Sequence, residues 1–272
     1  NFIKMKKTND LSKICKNYRS VLFEKFLEVG QGHPGSVFSM LEIVVSLFYK
    51  SHIRFDESTK AFNDKIIISK GHATVALYPI LRDFGVIDNI EWDNWGKKDK
   101  DSILRVFGNT SIPGIDATSG SLGHGLGIGC GMAYLYKKKN IDKKVFVIIS
   151  EGELYEGSTW EALLFAAHHN LDNLNVIIDE NSLIILGNTD NCLKLDPIKR
   201  KIEGFGFDVL NVDGHNLDEL DNAFNKKTSG TKIILAKTIK GKGFSIMENK
   251  AHWHYWNSIN EKEIEICRKD IA

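Results

Sequence analysis

Four runs of consecutive apolar, mostly β-branched residues constrain this chain more than any other feature. They are Lys65–Ser69, Val145–Ser150, Asn175–Asp179 and Lys232–Lys237; a fifth, Phe207–Val212, is weaker. Runs that are apolar at every position suit strands buried on both faces, the condition of a parallel sheet covered by helices. Stretches with apolar residues at helical spacing lie between and around them: Asp10–Val29, Phe38–Tyr49, Ala73–Phe84, Ser121–Lys138, Gly157–Asn170 and Asn216–Lys227. Strands alternating with helices predict an α/β fold, a doubly wound, mainly parallel sheet with helices on both faces. One domain is expected over residues 11–272, with a C-terminal extension from about 244. Residues 1–10 are expected to form an N-terminal tail, those ahead of Met5 being a remnant of cloning. Ligands of such sheets bind beyond the carboxyl ends of the strands. The chemistry should therefore gather just after Ser69, Ser150, Asp179 and Thr238.

The bulk properties exclude several classes of function. The 36 basic and 35 acidic residues leave a net charge of +1, which offers no basic surface for nucleic acid or an anionic membrane. No stretch approaches the ~18 apolar residues of a membrane span, and the N-terminus lacks a secretory core. A cytoplasmic protein is expected. Cys15, Cys130, Cys192 and Cys267 form no CxxC pair and read as free thiols. No strand leads into Gly-x-Gly-x-x-Gly with an acid about twenty residues on, so a dinucleotide site is not expected.

The segment Ser150-Glu151-Gly152-Glu153-Leu154-Tyr155-Glu156-Gly157 follows a predicted strand and precedes a predicted helix, and Asn181 follows Glu151 by 30 positions, again after a strand. Two such oxygen donors at adjacent strand ends can share one hard cation, magnesium or calcium, with a backbone carbonyl and a diphosphate. The helix from Gly157 would aim its amides at phosphate oxygens. This segment resembles the thiamine-diphosphate motif, Gly-Asp-Gly followed about thirty residues later by Asn. More narrowly, Glu151–Ala162 and Phe165–Leu174 are similar to the transketolase version. The resemblance implies thiamine diphosphate as cofactor, a diphosphate-binding (PP-type) domain, and a metal held by Glu151, Asn181 and the carbonyl of Leu183. Ser150, Gly152, Glu153, Glu156 and Asn181 are then expected at the cofactor. Two departures stand out: Ser150 and Glu151 replace the family's Gly and Asp.

Other segments match in order. Gln31-Gly32-His33-Pro34-Gly35-Ser36 resembles the family's Gly-His-Pro-Gly turn, which aims an imidazole into the cleft. Ser69-Lys70-Gly71-His72-Ala73 is similar to its Gly-His-Ala segment; a helix start beside His72 would lower its proton affinity. Thr118–Gly125 resembles Thr-Gly-Ser-Leu-Gly-Gln-Gly, with His124 in place of Gln, and implies cofactor contacts from Gly120, Ser121 and Leu122. Lys237–Gly243, Met247-Glu248-Asn249 and Trp253-His254 resemble the tail of split, bacterial-type subunits. That basic loop could equally be solvated. His33, His72 and His254 are the expected acid–base residues, His72 also touching the cofactor; the sequence leaves open whether His252 or His254 faces inward. Asn109 stands where the family has a histidine for sugar hydroxyls.

A full-length transketolase has two further domains, one of which supplies the carboxylate that activates the cofactor's pyrimidine. The resemblance therefore implies a subunit that is active only with a C-terminal, pyrimidine-binding partner, in a heterotetramer acting on sugars or sugar phosphates. Trp253, Tyr255 and Trp256 are candidates for that interface or for packing of the extension. The alternatives are a thiamine enzyme for an unusual, such as nucleotide-linked, sugar, and a non-catalytic binding or regulatory subunit.

Overall fold

The computed structural model describes residues 10–97 and 99–272; the expected tail over 1–10 lies outside them except for Asp10. Eleven helices are described: α1 Leu11–Val29, α2 Pro34–Ser39, α3 Leu41–Tyr49, α4 Tyr78–Asp83, α5 Asn89–Asn94, α6 Gly125–Lys138, α7 Gly157–His168, α8 Thr189–Cys192, α9 Ile198–Glu203, α10 Leu217–Asn225 and α11 Glu261–Asp270. Strands β1 (Phe55–Asp56) and β2 (Ala61–Phe62) form one small hairpin, and β6 (Leu183–Ile184) and β7 (Gly187–Asn188) another. The main sheet consists of β3 (Lys65–Ile68), β4 (Val145–Ser150), β5 (Leu174–Glu180), β8 (Val209–Asp213) and β9 (Lys232–Lys237). Its order is β3-β4-β5-β9-β8, and every pair is parallel.

The strand pleat divides the interior into two cores. Ile66, Ile68, Phe146, Ile148, Ile177 and Ile234 face α1–α4 and α10. Ile67, Val145, Val147, Ile149, Val176, Ile178 and Leu235 face α6, α7 and α9. Alternate side chains leave a strand on opposite faces, so a run apolar at every position fills both cores at once. Register then brings the carboxyl ends level. Ile68 pairs with Ile148, Ser150 with Asp179, and Glu180 with Lys237.

Several expected helices differ in their ends, each for a local reason. The helix expected over Phe38–Tyr49 starts earlier, at Pro34, and is interrupted at Met40. There the Ser39 hydroxyl donates to the Ser36 carbonyl and across the sheet end to Asp179 (2.5 Å). The segment expected as helix from Ala73 is a 3-10 turn, Gly71–Leu77, before α4. The glycine-rich stretch from Ser121 becomes helical only at Gly125. It lies directly on the sheet: a Cβ on Gly129 would sit 2.4 Å from the Val147 side chain. The strand expected over Phe207–Val212 forms two residues later. Helices α5, α8, α9 and α11 have no counterpart among the expected elements. The four cysteines are free thiols, and no described helix is long and apolar enough to cross a membrane.

Candidate active site at the carboxyl ends of the strands

Just beyond the sheet, Lys70 follows β3 and Asp179 lies at the end of β5. Both are fully buried and form an ion pair. Lys70 also donates to the Ser36 carbonyl (3.1 Å) and Ser39 Oγ (3.3 Å), and Thr238 donates to Asp179. Burial alone would raise the Asp179 pKa; the Lys70 charge and these donors outweigh it and hold the carboxyl below its usual range. This pair forms the floor of the site and fixes α2 over it.

Above the floor, three imidazoles meet. The ring of His33 lies 5.0 Å from that of His72 and 5.4 Å from that of His254, and His72 and His254 are 5.3 Å apart. His33 caps the start of α2, His72 follows β3, and His254 lies in the 3-10 turn Ala251–His254. His252 is exposed, so His254 is the inward member of that pair. Burial, then the charge of Lys240, lowers His33 to about 4 and His254 to about 3. Burial and then Lys70 push His72 well below its usual value; buried cations, rather than a helix start, make it neutral. All three are neutral bases at physiological pH. His72 Nε2 contacts Ser36 Oγ (3.1 Å), whereas His33 Nδ1 is buried without a hydrogen-bond partner. An orphaned buried nitrogen of this kind is a place where a ligand group fits.

On the other side lie the expected cation donors. Glu151 accepts from the Ser182 amide and the Thr189 hydroxyl, both at 2.7 Å, which brings it beside Asn181 and Leu183. Asn181 Oδ1 accepts from the Leu183 amide (3.2 Å). Glu151 is 4% exposed, and burial raises its pKa. No ion pair among the described residues includes it. A buried carboxylate without a counter-charge, next to an amide oxygen and a backbone carbonyl, fits a divalent cation. Lys240, 2% exposed, reaches over this group: its Nζ is 3.4 Å from the Leu183 carbonyl oxygen and 3.1 Å from His254 Nδ1. Burial and the Lys70 charge lower its pKa to about 8. The basic loop is therefore not solvated at Lys240.

Two loops complete the rim. Gly120 and Ser121 are exposed or half-buried at the surface and Leu122 is half-buried, free to contact a ligand through backbone or side chain. Glu153 stands behind this loop rather than in the cleft. It is fully buried, accepts from Ser69 and from the Gly123 amide (2.8 Å), and burial raises its pKa. It reaches a ligand only by holding the loop. The Ser150 hydroxyl accepts from the Glu153 amide (3.2 Å) and so caps the turn Glu151–Tyr155. A Cβ on Gly152 would lie 2.7 Å from the Ile184 side chain. Glu156 is exposed at the start of α7.

A family model described as "Transketolase, thiamine diphosphate binding domain" matches residues 11–272. The chain belongs to this family. The first of two chains of the apulose-4-phosphate transketolase of Phocaeicola vulgatus is 34% identical over 258 residues, 92% of this chain and 90% of that protein. Human transketolase is 37% identical over 83% of this chain but only 36% of its own length. The crystal structure of Campylobacter jejuni transketolase superposes with a TM-score of 0.84 at 25% identity, covering 97% of this chain and 43% of that one. The chain thus spans nearly the whole of a split-transketolase subunit and well under half of a full-length transketolase.

In this transketolase domain the structure adds Ser36, Lys70 and Lys240 to the residues singled out from the sequence. Each belongs to a motif already noted, but serine and lysine are mostly surface residues, and only the fold reveals their burial. Trp253 and Trp256 prove to be packed: Trp256 stacks on Phe26 (5.6 Å) and Trp253 is buried. Tyr255 alone of the three is exposed, 4.9 Å from His33. His33 opens onto a cavity of ≈ 830 Å³ whose walls include Lys97, Lys100, Arg105 and Phe107. Asn109, in place of the histidine, turns back to accept from the Ser111 amide (3.0 Å) and does not face this cluster as an acid–base group.

Proposed function

We propose that this chain is the diphosphate-binding subunit of a two-chain transketolase, moving a two-carbon ketol unit from a ketose donor to an aldehyde acceptor. The observation that carries the reading is the meeting, at one sheet edge, of three neutral histidines with a buried acid and amide that have no counter-charge. Thiamine diphosphate, when bound, supplies the electron sink for breaking and making the C–C bond. Glu151, Asn181 and the Leu183 carbonyl would hold Mg²⁺ or Ca²⁺. Lys240, the amides at Gly152 and the α7 start near Glu156 would meet the diphosphate. Ser150 serves as a turn cap, and Glu153 holds the loop of Gly120, Ser121 and Leu122 towards the pyrimidine. His33, His72 and His254, neutral at working pH, would take and return protons at substrate hydroxyl and carbonyl oxygens.

Residues 11–272 act as one domain in this reading, in the cytoplasm. The pyrimidine-activating carboxylate comes from a C-terminal, pyrimidine-binding partner subunit, two copies of each chain forming a heterotetramer. The exposed Ile128, Leu135, Leu164 and Phe165 on α6 and α7 offer an apolar face for that assembly. Lys97, Lys100 and Arg105 around the cavity favour phosphorylated sugars. One relative is named for apulose 4-phosphate, which therefore joins xylulose 5-phosphate among the donors to assay.

Titrating thiamine diphosphate with Mg²⁺ into the chain by calorimetry tests the reading. The wild-type chain should bind, Glu151→Ala should weaken binding at least about tenfold, and addition of the partner should tighten it. An absence of binding in every mixture would favour a non-catalytic subunit.

A further inference from the structure

A second polar group, on the opposite side of the Lys240 loop from the histidines, is left unused by the reading above. Glu42 of α3 lies buried between Arg19 of α1 and His215, which follows β8. Arg19 Nη2 is 2.6 Å from Glu42 Oε1, and His215 Nδ1 is 2.9 Å from Glu42 Oε2. Both partners then grip the turn that carries Lys240. Arg19 Nε donates to the Lys242 carbonyl (2.9 Å), and the Ile239 amide donates to His215 Nε2 (2.8 Å). The hydrogen bonds form a closed ring: Glu42 to Arg19, to Lys242, back along the turn to Ile239, to His215, and to Glu42.

The ring has a defined proton arrangement. A backbone amide can only donate, so His215 Nε2 must be the acceptor and Nδ1 must carry the proton given to Glu42. The carboxylate is acceptor-only and satisfies both donors. Burial alone would raise the Glu42 pKa, but the bond from His215 and the Arg19 charge outweigh it and keep Glu42 ionised. The backbone of the turn cannot be held by sheet or helix, because it lies past the end of β9 with positive φ at Gly241 (78°) and Gly243 (93°). A side chain at Gly243 would meet Arg19 Cδ at 2.6 Å, so the guanidinium rests directly on the turn.

We propose that Arg19, Glu42 and His215 are positioning residues for Lys240, setting where its ammonium stands and hence the affinity of the chain for the cofactor's diphosphate. This rests on the functional reading above. A long lysine stem has about 2 kcal/mol of rotamer entropy to lose, and a backbone shift of the turn would carry the charge away from the site; the ring prevents that shift without touching the ligand.

The experiment is a double-mutant cycle read by calorimetry of Mg²⁺–thiamine diphosphate binding to the full chain. Lys240→Met should weaken binding by about tenfold or more, and His215→Ala by a similar factor. Because His215→Ala acts through Lys240, the double variant should bind no more weakly than Lys240→Met alone. His215→Gln can accept from Ile239 and donate to Glu42, and should restore near wild-type affinity; a merely structural role would not give that pattern of coupling and rescue. Should His215→Ala fail to fold, Glu42→Gln carries the test. Its amide turns a donor towards one of two donors, opening the ring without emptying space, and severalfold weaker binding is expected. Wild-type affinity in His215→Ala, or in Glu42→Gln, overturns the proposal, as does a double variant that loses the product of the two single effects. A wild-type chain that binds no cofactor sinks the functional reading as well, whereas a loss confined to Lys240→Met leaves that reading standing and removes only this one.

Discussion

At the residue scale, the ion pair of Lys70 and Asp179 decides whether the site has a floor. Both are fully buried, so neither charge has water to fall back on. Removing one partner of such a pair strands the other and typically costs about 3–5 kcal/mol, while replacing both is far milder. Lys70→Met is therefore expected to lower unfolding stability by about that amount, measured by urea denaturation, and Lys70→Met with Asp179→Leu to recover much of it. If the single variant is as stable as wild type, the pair is not the closed unit its burial indicates. The same two residues mark the limit of sequence reading at this scale. His33, His72 and His254 announce themselves through rare motif positions, and so do Glu151 and Asn181. Lys70, Ser36 and Lys240 sit inside those motifs, yet nothing in their type or spacing separates a buried lysine from a solvated one; that depends on α2 folding over Asp179.

Elements are legible where one physical cause dominates. Strands β4 and β9 fall where continuous apolar runs put them, since both faces of each are covered. Strand β8 starts later than its apolar run because it lies at the sheet edge and alternates in burial, so its signal is weaker. Short helices such as α5 and α9 carry too few turns for a periodic pattern to show. The glycines of α6 separate into two kinds that sequence alone does not distinguish. Gly125 and Gly129 lie against Ser69 and Val147 with no room for a Cβ, whereas Gly127 and Gly131 face open space. Alanine is favoured over glycine in a helix interior by about 0.8–1 kcal/mol. Gly127→Ala is thus expected to raise the thermal midpoint of the isolated chain, and Gly129→Ala to lower it sharply. Gly71→Ala acts on the site instead: its Cβ would press to 2.6 Å on the Ser119 backbone. That displaces the loop of Gly120–Leu122, and weaker thiamine diphosphate binding should accompany it in the same calorimetric assay.

The whole molecule should show the histidine cluster in its dependence on pH. His33 has a folded pKa of about 4, and His254 of about 3, against an ordinary value of 6.5. His72 is lowered as well. Between the folded and ordinary values the unfolded chain binds more protons than the folded one, so stability rises with pH in that window. The contribution is complete above about pH 6.5 and is lost as pH falls towards 4, His33 alone accounting for on the order of 3 kcal/mol. Two buried acids oppose it: Glu151 and Glu153 have raised values, so their burial costs less as the pH falls and they take up protons. Substitution separates the two effects. Urea denaturation at pH 7.5, 6 and 5 should show the wild type losing stability stepwise, and His33→Asn, which cannot titrate, losing less between pH 6 and 5. Equal losses in both would mean that His33 is charged in the folded state. It could not then act as a neutral base beside Lys240, and the acid–base role would pass to His72 and His254.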